Sequence, residues 1–242
     1  MNKKQKEVYR IHQRIVDAAQ QGNMNETMTL LHTIQTDFPG ELYRGFDLFF
    51  WNHLVIPIAP LIGASPDARP NDRYQYAQYT ALSVAAQGRH IALVKAILAP
   101  GLDPTSKSMF VFGLKGAIFG GDVAVVEVLL DYGVDINTHY PRLMTALELS
   151  VLKSDNTMIA FLLAHGAVCT PFALVLAAMS GKVEMLRLLL AQGCDVNAPA
   201  NMNALPFHRS RYRTPLEVAR EECPPPCRNT VVQMLLDAGA RS

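Results

Sequence analysis

Much of what would mark an enzyme, a membrane protein or a nucleic-acid binder is missing from this chain. Lys and Arg number 22 against 21 for Asp and Glu, a net charge of +1 over 242 residues. Such a balance lacks the basic excess that a nucleic-acid-binding face concentrates, and gives no support to polybasic membrane attachment. The most apolar run, Leu54 to Gly63, is ten residues long and contains Pro57 and Pro60. A membrane span needs roughly 20 apolar residues, so this run reads as a buried segment. The start, Met1-Asn2-Lys3-Lys4-Gln5-Lys6-Glu7, leads into a polar amphipathic stretch with no apolar h-region, and no secretory signal is expected. Gly-x-Ser-x-Gly, a phosphate loop, His-Glu-x-x-His and a dinucleotide fingerprint are all absent. The seven histidines, His12, His32, His53, His90, His139, His165 and His208, are scattered. No metal and no cofactor is expected. Isolated acid–base residues leave no signature, however, so acid–base chemistry is not excluded on these grounds.

What the chain does have is apolar content and repetition. Half of its residues are hydrophobic, ample for a substantial core. One phrase returns five times: Ile97-Leu98 before Gly101-Leu102-Asp103, Leu129-Leu130 before Gly133-Val134-Asp135, Leu162-Leu163 before Gly166-Ala167, Leu189-Leu190 before Gly193-Cys194-Asp195, and Leu235-Leu236 before Gly239-Ala240. A period of this kind means stacked units that share one continuous core.

A single unit can be read from Thr80. Leu82, Ala85 and Ala86 fall on one helical face, Gly88-Arg89-His90 breaks the helix, and Leu93 to Leu98 forms a second helix, antiparallel because the link is short. Gly101 then ends that helix. The same reading fits Thr145 through Gly166 and Thr214 through Gly239; Phe112 to Asn137 and Phe172 to Asn197 match without the threonine. These residues resemble the ankyrin repeat, a unit of two helices and a β-hairpin loop, over about residues 80 to 242. Ser83, Glu148 and Glu217 stand where such units often carry His, so the copies are degenerate. The resemblance implies an all-α, ankyrin-type solenoid of about seven helix–turn–helix units joined by β-hairpin loops. It forms a single domain, with a capping unit at 8–40, a degenerate unit plus linker at 41–79, repeats at 80–108, 109–141, 142–170 and 171–211, and a C-terminal repeat at 212–242. His90 is expected to be structural.

The spacing is not uniform. Between second leucines the steps are 32 (98 to 130), 33 (130 to 163), 27 (163 to 190) and 46 (190 to 236). The short step implies a hairpin almost missing before Phe172. The long one implies an insertion at 198–213, together with the turn Cys223-Pro-Pro-Pro-Cys227. A polyproline II path would hold Cys223 and Cys227 roughly 12 Å apart, beyond the roughly 7 Å that a disulfide spans, so no bridge is expected between them. Cys169 and Cys194 read as small apolar packing residues, and a reducing, cytoplasmic setting is the expectation.

Carried over unit by unit, the resemblance places Tyr76, Tyr79, Met109, Val111, Phe119, Arg142, Met144, Lys153, Met179, Arg211, Arg213 and Glu221 on a concave binding face. The insertion adds His208 and Tyr212 beside Arg211 and Arg213. Long loops on rigid scaffolds often carry binding residues, and Arg can grip carboxylate or phosphate with paired hydrogen bonds. The plainer reading is a solvated loop whose Phe207 covers the last units. Trimming residues 200 to 211 is expected to spare helicity and melting but abolish binding. The expected function is therefore a non-catalytic module that binds another protein through its concave face and hairpin loops. Candidate contacts are Tyr76, Tyr79, Phe119, Arg142, Lys153, His208, Arg211, Tyr212 and Arg213. The alternative is a binding protein or acid–base enzyme, of isomerase or cyclase type, for a small apolar molecule. It would use the cluster Phe46, Phe49, Phe50 and Trp51 with Tyr74, Tyr76 and Tyr79, and Asp47 or His53 for proton transfer. For that cluster, packing of the N-terminal units against one another is the competing explanation.

Overall fold

The computed structural model describes residues 3–37, 73–99, 107–138, 144–201 and 212–241, and among these it is built of paired antiparallel helices. They are α1 (Lys3–Gln20) with α2 (Met24–Asp37), α3 (Arg73–Gln87) with α4 (Ile91–Leu98), α5 (Lys107–Gly120) with α6 (Val123–Asp131), α7 (Ala146–Lys153) with α8 (Asn156–Ala164), α9 (Pro171–Ser180) with α10 (Val183–Ala191), and α11 (Pro215–Glu221) with α12 (Pro225–Asp237). Two short strands, β1 (Ala200–Asn201) and β2 (Tyr212–Arg213), pair antiparallel with Ala200 opposite Arg213 and Asn201 opposite Tyr212. The chain divides into two compact units, one holding α1–α6 and the other α7–α12 with the strands.

Local chemistry explains the helix starts of the second unit. Thr145 accepts a hydrogen bond from the Glu148 amide, and the Glu148 carboxylate accepts one from the Thr145 amide at 2.8 Å, closing a reciprocal cap on α7. Thr214 and Glu217 repeat that box on α11, with Pro215 at the first helical position. Thr170 caps α9 by accepting from the Ala173 amide, again with a proline, Pro171, following it. The repeat at Phe172 thus has its threonine after all, two residues before the apolar face begins. The Glu148 carboxylate also accepts from the Thr170 hydroxyl at 2.5 Å, tying the cap of α7 to that of α9. The second helices end at the glycine of the recurring phrase: Gly133 and Gly193 have φ of 84° and 73°, a conformation with little cost for glycine alone.

In the unit of α1–α6, α1 packs on α3 and α3 on α5, while α2 packs on α4 and α4 on α6. The approach of α3 to α5 is close: a Cβ added to Gly116 would strike the Ser83 carbonyl oxygen, and one on Gly113 would lie 2.9 Å from Leu82. Ala81, Leu82, Ala85 and Ala86 of α3 are fully buried, as are Leu114, Ala117 and Ile118 of α5. The turn between α3 and α4 joins three helix pairs. His90 Nε2 lies 2.8 Å from the Gln20 carbonyl at the end of α1, and Arg89 Nε donates to the Gly120 carbonyl at the end of α5, also at 2.8 Å. His90 is therefore structural, as its position implied.

In the other unit α7, α9 and α11 stack as a first layer and α8, α10 and α12 as a second. Seven consecutive residues of α9, Phe172 to Ala178, are buried, because this helix has neighbours on both sides and its own partner α10 behind it. Asn197, in the loop after α10, donates to the Gly239 carbonyl at 3.1 Å and accepts from the Arg241 amide at 2.8 Å, joining the ends of two successive repeats.

Three expectations are corrected. Thr80 does not start a helix: α3 begins at Arg73, and Thr80 is buried within it. Nothing in Arg73-Tyr-Gln-Tyr-Ala-Gln-Tyr79 halts a helix, so Tyr76 and Tyr79 lie on α3, and Met109 and Val111 likewise lie on α5. Cys169 and Cys194 are not separate packing residues but a disulfide, with Cα atoms 5.6 Å apart. The triple proline does not run as polyproline II: Pro225 and Pro226 open α12, which brings the Cys223 and Cys227 sulfurs to 3.8 Å of one another. Both of these cysteines are free, as expected, although the assumed distance was wrong. The expected second unit at 41–79 lies, up to residue 72, outside the described residues, and so does the aromatic cluster at 46–53.

Candidate interaction surface

The short step in the repeat period builds one edge of this surface. Only residues 165–170 link α8 to α9, and no strand forms there. Cys169, just before α9, and Cys194, just after α10, are thereby brought together at the same edge and bridged. The covalent link stands where hairpin hydrogen bonds would otherwise hold the two ends of this repeat. Neither residue type nor spacing within one repeat announces the pair; the signal was two cysteines at successive loop edges.

The long step builds the other edge. Alternation along the strands turns Ala200 inward, where it is buried, and leaves Tyr212 outward with 60% of its surface exposed. Arg213, opposite Ala200, turns back onto the end of α11. One guanidinium nitrogen donates to the Glu221 carboxylate at 2.6 Å and the other to the Glu222 carboxylate. The Arg213 side chain is only 11% exposed, while Glu221 is open to water at 69% and Glu222 partly covered at 29%. Two carboxylates on one guanidinium fix the strand in both position and twist. Among the described residues this is the one Arg with charged partners on both sides of its fork.

Around this edge the candidate contacts sort by placement. Lys153 is the last residue of α7 and exposed; Met179, next to last in α9, is half-buried; Glu221 ends α11 and is exposed. These three lie at the C-terminal ends of stacked first-layer helices, whereas Tyr212 precedes the start of α11. Met144 is buried and presents nothing to a partner. Phe119 sits, half-buried, near the end of α5 in the other unit, and Tyr76 and Tyr79 are on α3 there. Arg142, His208 and Arg211 lie outside the described residues.

Ionisable groups are sealed away elsewhere. His12 of α1 is buried and burial lowers its pKa to about 4; Lys115 of α5 is buried and burial lowers its pKa to about 8. Among the described residues the Lys115 ammonium finds no hydrogen-bond acceptor. Among the described residues no three His, Cys, Asp or Glu side chains gather as metal ligands, and no helix is long and apolar enough to cross a membrane.

The ankyrin-repeat family model matches residues 172–201, which run from α9 through α10 into β1. The crystal structure of the human ASB11 ankyrin repeat domain aligns over 94% of this chain and 84% of its own, with a TM-score of 0.55 and 20% identity. The fold is that of an ankyrin-repeat domain. The ankyrin repeat domain of Bcl-3, described as a unique member of the IkappaB protein family, aligns over 95% of this chain and 87% of its own at a TM-score of 0.55 and 18% identity. No curated protein matches by sequence. Ankyrin-repeat architecture accounts for the recurring Leu-Leu-x-x-Gly phrase, the threonine-capped first helices and the paired layers in each unit.

Proposed function

We propose that the chain is a non-catalytic ankyrin-repeat protein that holds another protein on the edge formed by first-layer helix ends and the hairpin at β1–β2. The observation that carries this reading is Tyr212. An aromatic side chain with few rotatable bonds stands 60% exposed on a two-residue strand, and the next residue anchors that strand to two carboxylates. Tyr anchors held rigid before binding lose little entropy and often dominate interface energies. Lys153, Met179 and the insertion residues His208 and Arg211 extend the contact. In the remaining unit Phe119, with Tyr76 and Tyr79, is the corresponding set; Arg142 completes the proposed contacts. Arg213 acts by positioning Tyr212 rather than by touching the partner.

The family architecture supports a binding role and supplies no reacting group. The small-molecule alternative drew on the aromatic cluster at 46–53, and no observation favours it. The Cys169–Cys194 bridge counts against the cytoplasmic location expected from the sequence, because such links persist in oxidising surroundings and are rare in the cytosol. Rapid alkylation in cells decides it, with both thiols free in a cytoplasmic protein and blocked in an oxidising compartment.

A photo-crosslinking residue placed at position 212 is expected to give discrete protein adducts in cells. The same residue at Arg187, exposed on second-layer helix α10, should give none. Replacing residues 202–211 by Asn-Gly keeps β1 and β2 paired, since a two-residue turn suits an antiparallel hairpin. That variant should melt like the parent and lose the adducts. The deletion must stop at 202, because Ala200 is buried and paired. Equal adduct yields at 212 and 187 would remove the proposed surface.

A further inference from the structure

We propose that Cys223 and Cys227 form an oxidisable dithiol, a modification site that closes into a second disulfide by exchange with a low-molecular-weight disulfide of the glutathione class. The two sulfurs lie 3.8 Å apart across the α11–α12 turn. A disulfide bond is about 2.05 Å long, so closure needs less than 2 Å of sulfur movement, within reach of side-chain rotation. The turn is held in place for it. Pro225 and Pro226 begin α12, the Cys227 and Arg228 amides donate to the Pro224 carbonyl at 3.1 and 3.0 Å, and Arg228 Nε donates to the Cys223 carbonyl at 3.0 Å.

The sulfurs also share one floor. A Cβ on Gly181, the left-handed residue that ends α9, would strike the Cys227 sulfur and lie 3.2 Å from that of Cys223. Glycine there leaves the space both sulfurs occupy. Their exposure differs. Cys223 is covered, though close beneath the surface, while Cys227 is half-exposed. The cover of Cys223 and its bond to Cys227 push its thiol up to about 11, so Cys223 stays protonated at neutral pH and reacts second.

The chemistry follows from that order. Cys227, as thiolate, attacks one sulfur of the small disulfide; a Cys227–glutathione mixed disulfide forms and one glutathione thiolate leaves. Cys223 then loses its proton to solvent and attacks the Cys227 sulfur from 3.8 Å, expelling the second glutathione thiolate. The net change is two protein thiols oxidised to one disulfide and one small disulfide reduced to two thiols. The bridge forms beside Glu221 and Glu222, the carboxylates that hold Arg213.

The test uses the full chain with Cys169–Cys194 intact, treated with oxidised glutathione, blocked with an alkylating reagent and digested with trypsin without reduction. The peptide Glu221–Arg228 contains both cysteines. It is expected to lose all alkylation and to be lighter by two hydrogens than the unblocked dithiol form. The variant Cys223→Ala should instead stop with glutathione held on Cys227. A wild-type peptide that stays alkylated at both cysteines, or that retains glutathione on Cys227, overturns the proposal; neither readout depends on the variant folding.

Discussion

His12 and Lys115 carry the clearest costs of any single residues. An imidazole buried in α1 is neutral when folded, with a pKa near 4 against 6.5 when exposed. The unfolded chain therefore binds an extra proton between those values. Stability is at its full value above about pH 6.5 and falls as the pH drops through 4. The gap of about 2.5 pH units corresponds to about 3 kcal/mol. Melting temperatures of wild type and His12→Leu, measured from pH 7 to 4, should diverge in slope, with the variant losing less on acidification. Parallel curves would mean that water reaches His12. Lys115 presents the inverse situation: its pKa falls from 10.5 to about 8, so at neutral pH a buried ammonium with no acceptor among the described residues stays charged. Replacing it by Met, a near match in length, should stabilise the fold by about 1–3 kcal/mol, seen as a higher midpoint in urea at pH 7. The gain should shrink as the pH rises from 8 towards 10.5, where the wild-type lysine is released from its charge. Neither residue was legible beforehand. A histidine or lysine inside an amphipathic run reads the same whether its tip reaches water or not, and only the packing of α3 against α1 and α5 decides it.

At the scale of helices and turns, the sequence was most readable where a side chain caps its own backbone. Thr145 with Glu148 and Thr214 with Glu217 mark helix starts that need no neighbour to explain them. Thr80 misled because a threonine's capping role depends on what precedes it; with seven helix-compatible residues upstream, α3 simply continues through it. The prolines misled in the opposite sense. Pro225 and Pro226 fit an extended path and a helix's first turn equally well, and the helix wins because α12 buries Val231 and Leu235. The disulfide was missed for a third reason: a bridge between loops 25 residues apart depends on how two helices fold back, not on local residues. Its contribution can be sized. Closing a loop of that length removes unfolded-state freedom worth about 3 kcal/mol in the chain-entropy account. The double variant Cys169→Ser with Cys194→Ser should lose about that much by urea unfolding without losing helical signal. A loss below about 1 kcal/mol would show that the shortened repeat is held by its helices and the Asn197 hydrogen bonds alone.

Across the whole molecule, stability in repeat architectures is a sum of weak intrinsic terms and strong neighbour terms. The recurring Leu-Leu-x-x-Gly phrase carried that architecture without any structure, because each copy records the same burial and the same helix stop. What it could not carry was how tightly particular neighbours couple, since that lies in contacts such as Arg89 to Gly120, His90 to Gln20 and Glu148 to Thr170. Those contacts converge on α3 and α9, the middle first-layer helix of each unit, and each of these packs on a first-layer helix to either side. Opening α9 must break interfaces with α7, α10 and α11 together, whereas among the described residues the main neighbours of α12 are α11 and α10. Hydrogen exchange should therefore be slowest in α3 and α9 and faster in α2 and α12, with free energies of opening that approach the global value only in the two middle helices. Exchange in α12 as slow as in α9 would show that the chain unfolds as one cooperative block, and that coupling between neighbouring repeats exceeds any cost of opening at the end.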